Sequence, residues 1–183
     1  VPKDIVYFDL ETQKSANDVG GWGHKDKMLM SVGVTYSTAL GKYIIYDEAN
    51  VQKLIDQLLN ADLVIGFNHI NFDYEVLMGY TILDLKGQTH NLDLLVDLEN
   101  KLGHRLKLES IAAASLGAGK SADGLQAIKW WREGKVKEIA EYCCYDVKVT
   151  WKVHSYGIEH GMVKYTGRHS PEPQEVAVDW KAE

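Results

Sequence analysis

Apolar residues run almost unbroken through residues 4–10 (DIVYFDL), a pattern that suits a strand buried on both faces. Residues 28–36 alternate instead, with Met28, Met30, Val32, Val34 and Tyr36 on one side, which predicts a second strand. A Ser/Thr/Gly turn at 37–41 leads to Tyr43-Ile44-Ile45-Tyr46, a third strand paired as a hairpin. Residues 51–59 change period: Val51, Leu54, Ile55, Leu58 and Leu59 share one helical face, with Asn50 as the expected cap. A fourth strand is expected at 62–67 (DLVIGF), a helix just after Asn71 and a short strand at 90–93. From about 94 to 160 the pattern is helical, broken near Gly103, around Gly117–Gly124 and at Gly134. The last of these helices, 135–156, is the longest, and Val163–Tyr165 and Val176–Trp180 read as late edge strands. A hairpin feeding a helix and then a parallel strand predicts an α/β fold with a mixed sheet covered by helices.

Composition changes little in that picture. The chain has 183 residues, 45% hydrophobic and 25% charged, which suits one globular domain and excludes a disordered or collagenous chain. The whole chain, 1–183, reads as a single domain with a core at about 4–165 and a short C-terminal tail. No apolar run approaches the roughly 18 residues of a membrane helix. Asp4, Asp9 and Glu11 interrupt the first apolar stretch, so it does not read as a secretory leader. The two cysteines, Cys143 and Cys144, are adjacent and form no zinc motif, which suggests a reducing, cytoplasmic setting. Net charge is −6, but it is unevenly spread. Residues 1–100 carry 7 basic and 15 acidic side chains, whereas residues 101–152 carry 10 and 6. That asymmetry suits a metal-binding face beside a phosphate-binding rim, or simply solvated helices.

Three acidic features carry candidate chemistry. Asp9 and Glu11 lie two apart on the first strand and therefore share a face. Neighbouring carboxylates repel and resist desolvation, so they need a cation, and oxygen ligands favour Mg²⁺ or Mn²⁺. The plainer alternative ends the strand there and points both groups into water. Asp73 follows the strand-to-helix loop Asn68-His69-Ile70-Asn71-Phe72 and falls in a first helical turn, where an acid also has a structural reading. Tyr142 and Asp146 are spaced i, i+4 on the long helix, in one stripe with Ile139, Val149 and Val153. A carboxylate on an apolar stripe is costly unless it is paired or metal-bound. The cysteines read as small apolar residues.

Asp-x-Glu on a first strand, an Asp after an Asn-rich turn and Tyr-x-x-x-Asp on a late helix form an ordered set. It resembles the DEDD superfamily of 3′–5′ exonucleases on the ribonuclease H-like (DnaQ-like) fold, in its tyrosine branch. Val19-Gly20-Gly21-Trp22 and Lys120-Ser121-Ala122-Asp123-Gly124-Leu125-Gln126-Ala127 look like bacterial ribonuclease H-like domains of the YprB type, found alone or joined to DEAD/DEAH-box helicases. The resemblance covers about residues 4–165. It departs from proofreading relatives after Thr12: Gln13-Lys14-Ser15 and a Gly-Gly-Trp loop replace the usual Thr-Gly turn. That loop would lie near the substrate 3′ end, so the substrate stays open between DNA, which is favoured, and RNA.

The resemblance implies hydrolysis of single-stranded nucleic acid from its 3′ end, with two Mg²⁺ or Mn²⁺ ions about 3.5–4 Å apart and release of nucleoside 5′-monophosphates. Asp9 would bridge both ions, Glu11 and Asp146 would hold the one carrying the attacking water, and Asp73 would support the other. Tyr142 would orient the water. The backbone near Leu10 and Thr12, with Asn68, Phe72 and Trp22, would hold the terminal nucleotide. Lys101, Arg105, Lys107, Lys120, Lys129 and Arg132 would track phosphates, and Trp130-Trp131 offers one exposed ring. A competing expectation is a catalytically weak nucleic-acid-binding accessory domain serving a helicase or repair partner.

Overall fold

The computed structural model describes residues 3–119 and 122–181. Its centre is a five-stranded sheet in the order β3-β2-β1-β4-β5. The strands are β1 (Ile5–Thr12), β2 (Met30–Ser37), β3 (Lys42–Asp47), β4 (Leu63–Gly66) and β5 (Asn91–Asp93). β1, β2 and β3 pair antiparallel, whereas β4 and β5 run parallel to β1. This is the expected α/β arrangement, a mixed sheet flanked by helices.

Each face of the sheet closes on its own apolar cluster. Val6, Phe8 and Leu10 of β1 pack with Val64 of β4 against α2 (Val51–Asn60) and α3 (Tyr74–Leu77). Two four-residue helices, α1 (Ala16–Val19) and α4 (Leu85–Gln88), border that layer. The other face carries Ile5 and Tyr7, which meet α5 (Leu94–Leu102), α6 (Leu108–Leu116), α7 (Gly124–Arg132) and α8 (Val136–His160). Tyr7 sends its hydroxyl to within 2.8 Å of His154 Nδ1 on α8, so the polar end of a buried tyrosine is paired. Among the described residues, no helix is long and apolar enough to cross a membrane.

The structure corrects several expectations. Asn50 starts α2 without a side-chain cap bond; it donates instead to Asp47, which caps a short 3₁₀ turn at Glu48–Asn50. The chain after β4 does not enter an ordinary helix: His69–Asp73 forms a π-turn before α3, and Asn71 caps nothing. The late strands β6 (Met162–Thr166) and β7 (Pro173–Ala177) are not edges of the central sheet but a separate antiparallel hairpin. The segment after residue 165 is packed: Val176, Val178 and Trp180 are buried in the core. Trp180 lies where a Cβ on Gly157 would come within 2.4 Å of its ring, so α8 needs glycine there. Trp130 and Trp131 are both half-buried against the core.

Candidate active site

β1 is paired with β4 only through Tyr7, where Ile65 lies opposite. Beyond that point β4 turns away, and the C-terminal half of β1 faces an opening. Asp9 and Glu11 continue the row begun by Ile5 and Tyr7, as the two-residue period requires. Between Glu11 and Thr12 the register with β2 shifts, leaving Ser31 as an extra residue on β2. Such bulges re-aim side chains beside functional sites.

Asp73 reaches the same opening from the π-turn. Its Oδ1 accepts the N–H of Leu10 at 3.0 Å. The loop that delivers it is held from below by Asp93, which accepts the N–H groups of Asn68 and Ile70 and also caps α5. Asn68 adopts the left-handed region at φ 66°, a conformation asparagine tolerates better than most residues. His69 packs so closely on Gly66 that a Cβ there would meet its Nδ1 at 2.6 Å. Burial depresses the His69 pKa, although Asp93 opposes that shift. The Gly-Gly-Trp loop is tied to this turn: Lys25 Nζ donates to Asn71 O at 2.7 Å and pairs with Glu75 at 3.0 Å. Trp22 thereby lies edge-on to Phe72, with ring centroids 6.4 Å apart.

The third side of the opening is α8. Asp146 and Tyr142 face it one turn apart, and Cys143 Sγ approaches both Asp9 O and Asp9 Oδ2 at 3.5 Å. The electrostatics are one-sided. Among the described residues, Asp9, Glu11, Asp73 and Asp146 make no salt bridge. Burial pushes the Asp73 and Asp146 carboxyls up to about 8, with help from Asp93 and Asp9 respectively. Asp9 and Glu11 are raised by burial and by their acidic neighbours. Burial and the nearby carboxylates also raise Tyr142 far above the ordinary phenol range, so its hydroxyl stays protonated.

This cluster fits hard divalent cations. Among the described residues the four carboxylates that share the opening have no ion-pair partner, although Lys14 also lines it, and oxygen donors on Asp9 and Glu11 lie within 4.8 Å of one another. Asn68 Oδ1 is buried there without a hydrogen-bond partner. Cys143 stands in the same group of donor atoms, but burial and Asp9 hold its thiol protonated, and a thiol is a poor ligand for Mg²⁺.

Two cavities meet over the carboxylates. One, of about 560 Å³, is lined by Asp9, Glu11, Asp73, Asp146 and Tyr142. Leu10, Thr12, Trp22, Asn68 and Phe72, expected at the substrate, also line it. The Leu10 N–H donates to Asp73, and the Thr12 hydroxyl donates to Lys14 O. The other cavity, of about 480 Å³, shares Asp9, Asn68, Tyr142 and Asp146 and adds Arg105 and Lys107. The remaining expected basic residues diverge. Lys101 is paired with Asp97 and Asp179, Arg132 with Asp18, and Lys129 lines neither cavity. Lys120 and Ser121 lie outside the described residues.

Three contributors are invisible in the acidic motifs themselves. Asp93 organises the Asn68 loop, signalled only by its place between a short strand and a helix. Asp123 caps α7, lines both cavities and raises Glu11. Cys143 touches Asp9 from a helical stripe that otherwise reads as packing.

A family model described as the RNase_H superfamily matches residues 6–157. The structure of the family B DNA polymerase from the hyperthermophilic archaeon Pyrobaculum calidifontis is similar, with a TM-score of 0.62 and 17% sequence identity. That likeness, one of fold, covers 86% of this chain but only 25% of the polymerase, so the chain spans about a quarter of its length. No curated protein matches the chain.

Proposed function

The chain belongs to the RNase_H superfamily, and from that premise we propose a nuclease that removes nucleotides from the 3′ end of single-stranded nucleic acid. It would be of the tyrosine-branch DEDD type, with one catalytic domain over residues 1–183. The observation that carries the reading is the convergence of Asp9, Glu11, Asp73 and Asp146, with no salt bridge among the described residues, beside Tyr142. The four carboxylates would hold two Mg²⁺ or Mn²⁺ ions. When bound, these would supply the positive charge that a phosphodiester transition state needs and the polarisation that makes water nucleophilic.

The chain's own residues set the geometry. Tyr142, kept protonated, would orient the attacking water by a hydrogen bond rather than act as an ionised base. The edge-on pair of Trp22 and Phe72 offers apolar surface for the terminal base. Asn68, whose buried Oδ1 has no partner among the described residues, lines both cavities beside the carboxylates and would contact the terminal nucleotide. The backbone near Leu10 and Thr12, which lines the same opening, would help hold the terminal nucleotide. The products would be nucleoside 5′-monophosphates, and DNA is favoured over RNA.

The test uses 5′-labelled single-stranded DNA and RNA with Mg²⁺, Mn²⁺ or EDTA, beside Asp9→Asn. The expected result is a metal-dependent ladder shortening from the 3′ end, reduced at least about 10³-fold in the variant. Retained turnover in folded Asp9→Asn protein would overturn the assignment. Binding without cleavage of either strand would favour the accessory-domain alternative.

A further inference from the structure

A third cavity, of about 860 Å³, opens beside the carboxylate site, and the two share the wall Arg105-Leu106-Lys107. Its far wall is the β6–β7 hairpin, with Arg168 and His169 in the connecting loop. Its chemistry is opposite to that of the active-site cluster. Arg105, Lys107 and Arg168 line it together with His104 and His169, and among the described residues no Asp or Glu does. In a chain of net charge −6, three cations with no acid at the lining form a pronounced local excess. Lys107 and Arg168 make no salt bridge among the described residues, and Arg105 has only Glu99, at 3.9 Å.

The cavity is also built. Ser110 of α6 donates to Thr166 O at 3.0 Å and accepts the Thr166 N–H at 3.1 Å. One turn and a half further along, Ser115 donates to Lys164 O and accepts the Lys164 N–H. These paired bonds fasten β6 along α6, and Tyr165, buried, bonds Gln174 across the hairpin at 3.0 Å. A hairpin held this way keeps its loop, with Arg168, at a set position opposite Arg105 and Lys107.

We propose that this basic cavity is a second binding site, for the phosphodiester backbone of the same nucleic-acid strand several nucleotides away from the carboxylates. It rests on the nuclease reading for the identity of the strand. The shared wall gives a continuous route: a strand leaving the carboxylates would pass Arg105 and Lys107 and end against Arg168. Backbone contacts of this kind give affinity without base preference and make binding salt-dependent.

The test measures anisotropy of fluorescein-labelled 3-mer and 20-mer single strands, DNA and RNA, on the whole chain in Ca²⁺ buffer. Arg168 stands in an exposed loop away from the carboxylates, so Arg168→Ala and Arg168→Glu should fold. We expect Arg168→Ala to weaken the 20-mer about 5-fold at low salt, and Arg168→Glu more. The slope of log K against log salt should flatten by about 0.7 for Arg168→Ala. The 3-mer should be unaffected, and Lys53→Ala, exposed on α2 across the sheet from the cavity, should change nothing. Unchanged 20-mer affinity and slope, equal losses on both lengths, or no 20-mer binding by the unaltered chain would each overturn the proposal. Arg168-dependent binding without any strand cleavage in Mg²⁺ or Mn²⁺ would uphold the cavity and overturn the nuclease reading instead.

Discussion

β1 presents two rows of side chains that differ by one residue in register. Val6, Phe8 and Leu10 point to one face and are closed inside a continuous apolar cluster. Ile5, Tyr7, Asp9 and Glu11 point to the other, and that row changes character half-way, from core to carboxylate. The change comes where β4 stops pairing, after Tyr7. Both rows are ordered by the same strand, so the backbone that stabilises the core also aims the carboxylates. The first row contributes stability along its whole length, whereas in the metal-free protein the carboxylate half of the second detracts from it.

Swapping one residue in each row gives the sharpest separation. Asp9→Asn should lose at least about 10³-fold in turnover while its metal-free melting temperature at pH 8 stays level or rises, because a like-charged group has left the cluster. Phe8→Ala should cost about 3–5 kcal/mol, roughly 10 °C, by opening a cavity next to Tyr74, while leaving the carboxylates in place. Differential scanning calorimetry beside turnover per folded molecule checks both, and a large destabilisation by Asp9→Asn would break the comparison. Tyr142→Phe is the next effect in size: about 10²-fold in kcat with KM little changed, since the lost hydroxyl acts on water rather than on substrate. A loss confined to KM would make Tyr142 a binding residue.

A further effect is one of pH. Burial holds the Asp73 and Asp146 carboxyls up to about 8 in the folded, metal-free protein, against the ~4 of an unfolded chain. Between those values the folded state binds more protons than the unfolded one, so stability is fullest near pH 4 and falls as pH rises toward 8. The melting temperature in EDTA should therefore drop by several degrees from pH 5 to pH 8. Mn²⁺ should restore it at pH 8 and do little at pH 5, where protons already occupy the carboxylates. A metal-free melting temperature that climbs over this range would show that the carboxylates are compensated by the protein's own groups rather than by a metal ion.

Much of this was legible from the chain. Alternation and continuous apolar runs located all five strands of the sheet, and the change to helical period located α2 and α8. The i, i+2 and i, i+4 spacings put Asp9 with Glu11 and Tyr142 with Asp146. Asp73 was legible as an acid at a helix start, but not as the partner of the Leu10 N–H, because that bond crosses 63 residues of sequence. The π-turn was hidden for a related reason: its residues compete between local helix and the Asp93 carboxylate that gathers their N–H groups. Late β-rich segments announced strands but not their sheet, since pairing partners are chosen by the α6 surface that receives them. Basic residues were the least legible. Their long side chains reach several partners, and Lys101 and Arg132 found acids while Arg105, Lys107 and Arg168 met around a cavity.

What the sequence determined by itself is therefore local and periodic: which segments are strands or helices, and which acids share a face. These follow from the 2.0 and 3.6 repeats, which act over a few residues. Only the tertiary structure decided that four acids from β1, the π-turn and α8 converge without an ion pair among the described residues, and that a basic cavity opens beside them. Both results depend on where β4 ends and on how the hairpin docks, and those are set by packing between segments distant in the chain.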